Sequence, residues 1–197
     1  SPNIVFGTDG WRAIIGEDFS SQNVQLCAQG VANYILKSNL GSKGMVVGYD
    51  TRLGSKSFAN DVAQVFSANK IRVFLSSNFA PTPVISYNVK HLEAAGAVII
   101  TASHNAAQWN GFKVKSQYGG SASVDVINEI ENNIQELISS GKTPELLSIE
   151  QGKALGLIEY FDPKLSYLEH ITKIIDFDLI KKYPIDIAVD SMFGAAI

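Results

Sequence analysis

The sequence predicts an α/β protein, three-layer α/β/α, with a mixed, mostly parallel sheet between helices. Three observations carry this expectation. Short apolar runs alternate with segments whose apolar residues recur at helical spacing. One run, Ala97 to Thr101, has no polar alternation, so it belongs to a strand covered on both faces. Polar segments follow the expected strands, as at the ligand-binding edge of an open α/β sheet. The 197 residues suit one well-buried core and fall short of two full-sized domains. Apolar residues make up 46% and charged residues 18%, with 16 Gly and 6 Pro, the composition of a packed protein rather than a coil or fibre.

The elements follow in order. A helix is expected after Phe19, capped by Ser20 or Ser21, with Val24, Cys27, Val31, Tyr34 and Ile35 on one face and Gly41 at its end. Met45 to Tyr49 reads as a short buried strand, and Asp50 to Ser55 as a loop into a helix marked by Phe58, Val62, Val65 and Phe66. Ile71 to Leu75 is a second strand. After Pro81, Thr82 is expected to cap a helix with Pro83 in its first turn. The third strand, Ala97 to Thr101, leads into the polar segment Ala102 to Asn110. Gly111 to Lys115 then alternates like a half-exposed strand, and Tyr118-Gly119-Gly120 makes a turn. Ser123 opens a helix carrying Ile127, Ile130, Ile134, Leu137 and Ile138 that stops at Gly141. The stretch Lys142 to Gly156 has weak periodicity and reads as a linker with one short element. From Pro163 an amphipathic helix carries Leu165, Leu168, Ile171, Ile174 and Ile175 on one stripe. Ile185 to Val189 is expected to be a strand opening a new βα unit at Asp190 to Gly194. The division is placed at 1–158 and 159–197, with the chain expected to stop just inside the second unit. No internal repeat is visible.

Charge and cysteine content exclude several classes. Lys plus Arg number 16 against 19 Asp plus Glu, a net charge of −3, so a nucleic acid finds no general attraction and any phosphate binding must be local. Cys27 is the one cysteine, which excludes an internal disulfide or a Cys-rich zinc site and favours a reducing cytoplasm. It lies on an apolar helix face, where a thiol is inert core. His91 and His170 fall on expected helices without ligand-spaced partners and read as surface or packing residues. The longest apolar run, Ala94 to Ile100, is far short of the roughly 20 residues of a membrane helix. The start, Ser1-Pro2-Asn3, resembles a trimmed end without a signal peptide.

Three polar segments could carry chemistry. Thr101-Ala102-Ser103-His104-Asn105 ends a buried strand, where a serine can act as nucleophile or phosphoryl carrier and the imidazole and amide can bond an anion; the same residues could merely shape a turn. Lys113, on the strand returning from this loop, could aim its ammonium at the serine's substituent, or could simply be a solvated lysine. Gly7-Thr8-Asp9-Gly10-Trp11-Arg12 combines close backbone approach with a guanidinium suited to phosphate. Gly48-Tyr49-Asp50-Thr51-Arg52 does the same at another strand end, although Asp50 could only cap the next helix. Each alone could be a turn beside a surface arginine.

In this order, Phe6 to Arg12, Gly48 to Arg52, Thr101 to Asn105 and Asn110-Gly111-Phe112-Lys113 resemble the first domain of the α-D-phosphohexomutases, most closely the phosphoglucomutase and phosphomannomutase group. Val189 to Gly194 resembles the strand and turn that begin that family's second domain, so the resemblance covers nearly the whole chain. It implies an intramolecular phosphotransferase that interconverts hexose 1-phosphate and hexose 6-phosphate through a phosphoserine and a hexose 1,6-bisphosphate, which also serves as activator. The resemblance makes Ser103 the phosphoryl carrier. It makes Lys113 and Arg12 candidates for acid/base or charge-stabilising roles and His104 and Asn105 candidates for orienting the phosphoserine. Thr8, Asp9, Gly10, Arg52, Asn105 and Asn110 become candidates for binding phosphate or substrate. Mg²⁺ would be bound through the Ser103 phosphoryl group, with the remaining ligands outside this chain, so a fragment of this length is expected to be inactive. Many relatives have proline where Ala106 stands, a change expected to loosen the loop. The resemblance implies a hexose monophosphate as partner, with no nucleic acid or membrane, and a cytoplasmic location; it fixes neither the sugar nor the oligomeric state. Two rival readings are a serine hydrolase, which would lack Gly-x-Ser-x-Gly, and a sugar-phosphate-binding module without turnover.

Overall fold

Alternation along the strands assigns each side chain to one of two cores. The computed structural model describes residues 2–7 and 9–196. Its strands are β1 (Trp11–Ile14), β2 (Met45–Tyr49), β3 (Val73–Ser76), β4 (Gly96–Ile100), β5 (Trp109–Lys115) and β6 (Ile158–Phe161), in one sheet of order β1-β5-β4-β2-β3-β6. The pairs β4–β2, β2–β3 and β3–β6 are parallel, whereas β5 runs antiparallel to both β1 and β4. Met45, Val47, Val73, Leu75, Val98, Ile100, Phe112 and Val114 enter one core. Val46, Phe74, Ala97 and Ile99, one residue out of step, enter the other.

Helices α1 (Ser21–Lys37), α2 (Ser55–Ala68) and α4 (Val124–Ser140) cover the first face, and α5 (Ile149–Ala154) packs beside α2. Helix α3 (Thr82–His91) covers the second face at β2 and β4, and α6 (Pro163–Ile174) lies on α3. A short helix, α7 (Phe177–Lys181), follows. Ser20 caps α1 by accepting from the Asn23 amide, and Ser123 caps α4, which Gly141 ends in a left-handed conformation with φ 65°. Cys27 is buried, and burial pushes its thiol well above the usual range. None of the described helices is long and apolar enough to cross a membrane.

The structure corrects several expectations. Helix α1 ends at Lys37, before Gly41, because Asn39 takes the left-handed turn at φ 57°. Pro81, not Thr82, occupies the cap of α3, with no side-chain cap bond. Strand β5 is buried rather than half-exposed, since it is flanked on both edges and its lysines are covered by the loop before β1. Strands β1 and β6 were not expected as strands; each is four residues long, too short for a clear period. The division after residue 158 falls inside β6, which pairs along its length with β3. The apolar stripe of α6 is turned outward, with Leu165 and Leu168 exposed. Its inward contacts are instead Pro163, Ser166, Tyr167 and His170, with the His170 ring stacked 4.8 Å from Tyr87. Ile185 to Val189 is exposed and forms no strand, having no neighbouring strand among the described residues to take its backbone bonds.

The α3–α6 contact turns on one buried amide. Asn88 donates to the carbonyls of Val84 at 2.8 Å and Pro163 at 2.9 Å, and accepts from Ser166 Oγ at 2.8 Å. Asn88→Ala leaves the Pro163 carbonyl without this partner and is expected to cost about 1–3 kcal/mol. The loss should appear as faster hydrogen exchange confined to α6; unchanged exchange there would show that the amide does not hold the helix.

Candidate active site

The carboxyl ends of β2 and β4 release the chain into two loops that meet. Asp50 Oδ1 accepts from Ser55 Oγ at 2.7 Å and from the Arg52 amide at 3.0 Å, which ties the first loop to the start of α2. Asp50 Oδ2 lies 3.4 Å from Arg52 Nε, so the guanidinium is aimed along the sheet edge. There it donates to four carbonyls of the second loop: Ser103 at 2.8 Å, Asn105 at 2.6 Å, Ala106 at 3.0 Å and Trp109 at 3.1 Å. Arg52, expected to bind phosphate, thus has its donors turned to protein oxygens and holds the loop. The Ala106 carbonyl also accepts from the Trp109 amide at 3.0 Å.

Ser103 sits at the exposed tip of this loop with φ 56°, a left-handed conformation uncommon for a residue with a side chain. Its amide donates to Thr101 Oγ1 at 3.1 Å, and its Oγ lies 3.3 Å from His104 Nδ1. Among the described residues no carboxylate hydrogen-bonds the His104 ring, so the orienting member of a hydrolase triad is not on view. Ser103, His104, Asn105, Thr51 and Arg52 line a cleft of about 760 Å³, walled on its far side by Met192 and Phe193. The Phe193 carbonyl accepts from Thr51 Oγ1 at 2.9 Å.

The cations come from β5, which pairs with β4, and from β1 on the far edge of β5. Arg12 on β1 stands opposite Gly111 on β5, and the Thr101 amide donates to the Gly111 carbonyl, so the three form a row across the sheet. Trp11 and Ala13 enter the core, so Arg12 emerges on the other face and donates to Asn105 Oδ1 at 2.8 Å. Lys113, opposite Ile99, is buried and donates to Asp9 Oδ2 at 2.6 Å. The Asp9 carboxyl is pushed up by burial, but the hydrogen bond from Lys113 and the charges of Lys115 and Lys113 outweigh this and hold it below the usual carboxylate range.

Of the other expected site residues, Gly10 serves packing: at φ 100° it lies so near the Phe112 carbonyl that a Cβ would collide with it. Asn110 is sealed in the protein, where its amide donates to Ser55 Oγ at 2.9 Å and its oxygen accepts from the Gly111 amide, so it braces β5 against α2. Thr8 lies outside the described residues. The sequence reading missed Lys115 and the aiming of Arg52 by Asp50. The available signal was the pair of lysines spaced two apart on an otherwise apolar strand, which calls for a counterion. Among the described residues no three His, Cys, Asp or Glu side chains could together hold a metal ion. These side chains therefore do not make a Mg²⁺ site by themselves.

Comparison with known proteins bears on the family and the fold. Residues 3–140 match the family model described as phosphoglucomutase/phosphomannomutase, alpha/beta/alpha domain I. A phosphoglucomutase of Staphylococcus saprophyticus is 34% identical over 84% of this chain and 29% of its own length. A glucose 1,6-bisphosphate synthase of Mus musculus is 36% identical over 97% of this chain and 33% of its own. The crystal structure of a putative phosphomannomutase of Thermus thermophilus superposes with a TM-score of 0.79 at 29% identity, covering 90% of this chain and 37% of that one. The chain thus spans about a third of the length of the relatives it matches.

Two outcomes follow from the geometry. Arg52→Lys keeps the charge but cannot reach four carbonyls at once, so it should destabilise the protein by about 2–4 kcal/mol and speed proteolysis between residues 103 and 109. Proteolysis at the wild-type rate would contradict the clamp. Because Asp9 titrates lower when folded, its ion pairs stabilise at neutral pH and are lost as the pH falls through the folded value. Urea midpoints of wild type and Asp9→Asn should differ at about pH 7 and converge as the pH falls below the usual carboxylate range; a gap independent of pH would exclude this role.

Proposed function

Because the chain belongs to the phosphoglucomutase/phosphomannomutase family, whose α/β/α domain I it carries, we propose that it is the phosphoryl-carrying part of a hexose phosphate mutase. The reaction interconverts hexose 1-phosphate and hexose 6-phosphate, and Ser103 is the carrier. One observation carries this reading: Ser103 Oγ is exposed in a cleft at the end of a central strand, on a loop whose backbone is fixed by Arg52.

A phosphoserine here begins the cycle. A sugar hydroxyl oxygen forms a bond to phosphorus as the Ser103 Oγ–phosphorus bond breaks, and the proton released by the sugar is matched by one gained at Oγ. The resulting hexose 1,6-bisphosphate turns over and returns its other phosphoryl group to Ser103. Such transfers depend on positioning and on cations that meet the charge spread over the phosphoryl oxygens. Arg12, held at Asn105, and Lys113, held at Asp9, are the cations this chain offers, with Lys113 also the candidate proton donor to the leaving Oγ. His104, beside Oγ, orients the phosphoryl group. A divalent cation such as Mg²⁺ would supply further neutralising charge, with Ser103 as this chain's donor through its phosphoryl oxygens. The phosphoserine carries about −1.5 to −2 charges near neutral pH, which accounts for the gathering of cations.

Incubating the full-length protein with glucose 1,6-bisphosphate should place one phosphoryl group on Ser103, located by peptide mass spectrometry, and Ser103→Ala should abolish both labelling and turnover. Labelling elsewhere, or turnover by Ser103→Ala, would overturn the assignment. Labelling of the wild type without turnover of any hexose phosphate would favour the binding module instead.

A further inference from the structure

Lys115 is a second buried lysine that the proposed reaction leaves without a role. It lies two residues after Lys113 on β5, and Phe112 and Val114 point into the helix-covered core, so both lysines emerge on the face that carries Arg12. Their side chains are only 7% and 8% exposed. Asp9 gives one oxygen to each: Oδ2 to Lys113 at 2.6 Å and Oδ1 to Lys115 at 3.4 Å. Ser121, from the turn after β5, accepts from Lys115 at 3.1 Å and lies 3.3 Å from the same Oδ1.

Two ammonium groups against one carboxylate leave one uncompensated positive charge. Among the described residues Asp9 is the one acidic partner that either lysine has. A buried charge is costly unless a counterion meets it. The chemistry that would complete this cluster is a phosphoryl group carrying about two negative charges. Without Lys115, Asp9 and Lys113 would form a neutral pair that offers such a group far less attraction.

We propose that Lys115 is a positioning residue for phosphoryl transfer. By sharing Asp9 with Lys113 it keeps the Asp9–Lys113–Lys115 cluster net positive, so that Lys113 presents an ammonium not fully neutralised to the phosphoryl group on Ser103. This rests on Ser103 being the carrier. A purely structural alternative is that Lys115 only fastens the turn at Ser121 to the strand.

The test is single-turnover labelling of Ser103 by glucose 1,6-bisphosphate in the full-length protein, comparing wild type with Lys115→Met, Lys115→Arg and Ser121→Ala. Lys115→Met should slow labelling roughly tenfold, Lys115→Arg should restore it to within about threefold, and Ser121→Ala should leave it unchanged. Equal rates for Lys115→Met and wild type would overturn the proposal, as would an equal loss in Ser121→Ala, which would assign the effect to the turn. Should Lys115→Met fail to fold, Lys115→Gln decides, since it keeps a polar group able to bond Ser121 but carries no charge. Absence of labelling in the wild type would instead remove Ser103 as carrier, and this inference with it.

Discussion

The site depends on one guanidinium. The chain that leaves β4 crosses the sheet edge without regular structure, and four of its carbonyls turn toward one point that Arg52 fills. Left unpaired in a partly buried place, such carbonyls would favour other loop conformations. The left-handed backbone at Ser103 costs on the order of 1–2 kcal/mol for a residue with a Cβ, and the clamp offsets it. Arg52 is aimed by Asp50, which is fixed in turn by Ser55 at the start of α2. The exposed hydroxyl is therefore tied to the buried core through an unbroken series of bonds.

Electrostatics follows from strand alternation. The chain is acidic overall, with net charge −3. Yet β1 and β5 place Arg12, Lys113 and Lys115 on one face because their neighbours Trp11, Ala13, Phe112 and Val114 are needed in the core. Helix α3 lies over β2 and β4, so this part of the face is left for the loop carrying Asp9. Positive side chains can thus gather on one face of a protein that would repel a long polyanion.

Much of this was legible in the sequence, for identifiable reasons. Met45 to Tyr49 and Ala97 to Thr101 have no polar alternation, so their burial between layers could be read directly. Ser123 and Gly141 bound α4 by their own chemistry. The tip residue Ser103 and its neighbours could be named because a polar loop after a buried strand is where such sheets bind ligands. What escaped was set by distant partners. β1 and β6 are strands only because β5 and β3 lie beside them. The apolar stripe on α6 predicts a buried face, but Asn88 and Tyr87 select the opposite one. The arginine at position 52 reads as a ligand for phosphate until the four carbonyls it serves, some fifty residues away, are in place. Asn110 likewise reads as the end of a polar segment and a candidate for binding phosphate, and only the folded chain shows it enclosed.

The most direct test asks whether the clamp presents the hydroxyl for reaction. Quenched-flow transfer from glucose 1,6-bisphosphate to Ser103 in the full-length protein, with and without Arg52→Lys, separates the rate of transfer from its final extent. The account predicts a rate lower by roughly a hundredfold with labelling that still reaches one phosphoryl group per chain, as expected for misplacement of the reacting group. An unchanged rate in a variant with a demonstrably loosened loop would contradict it.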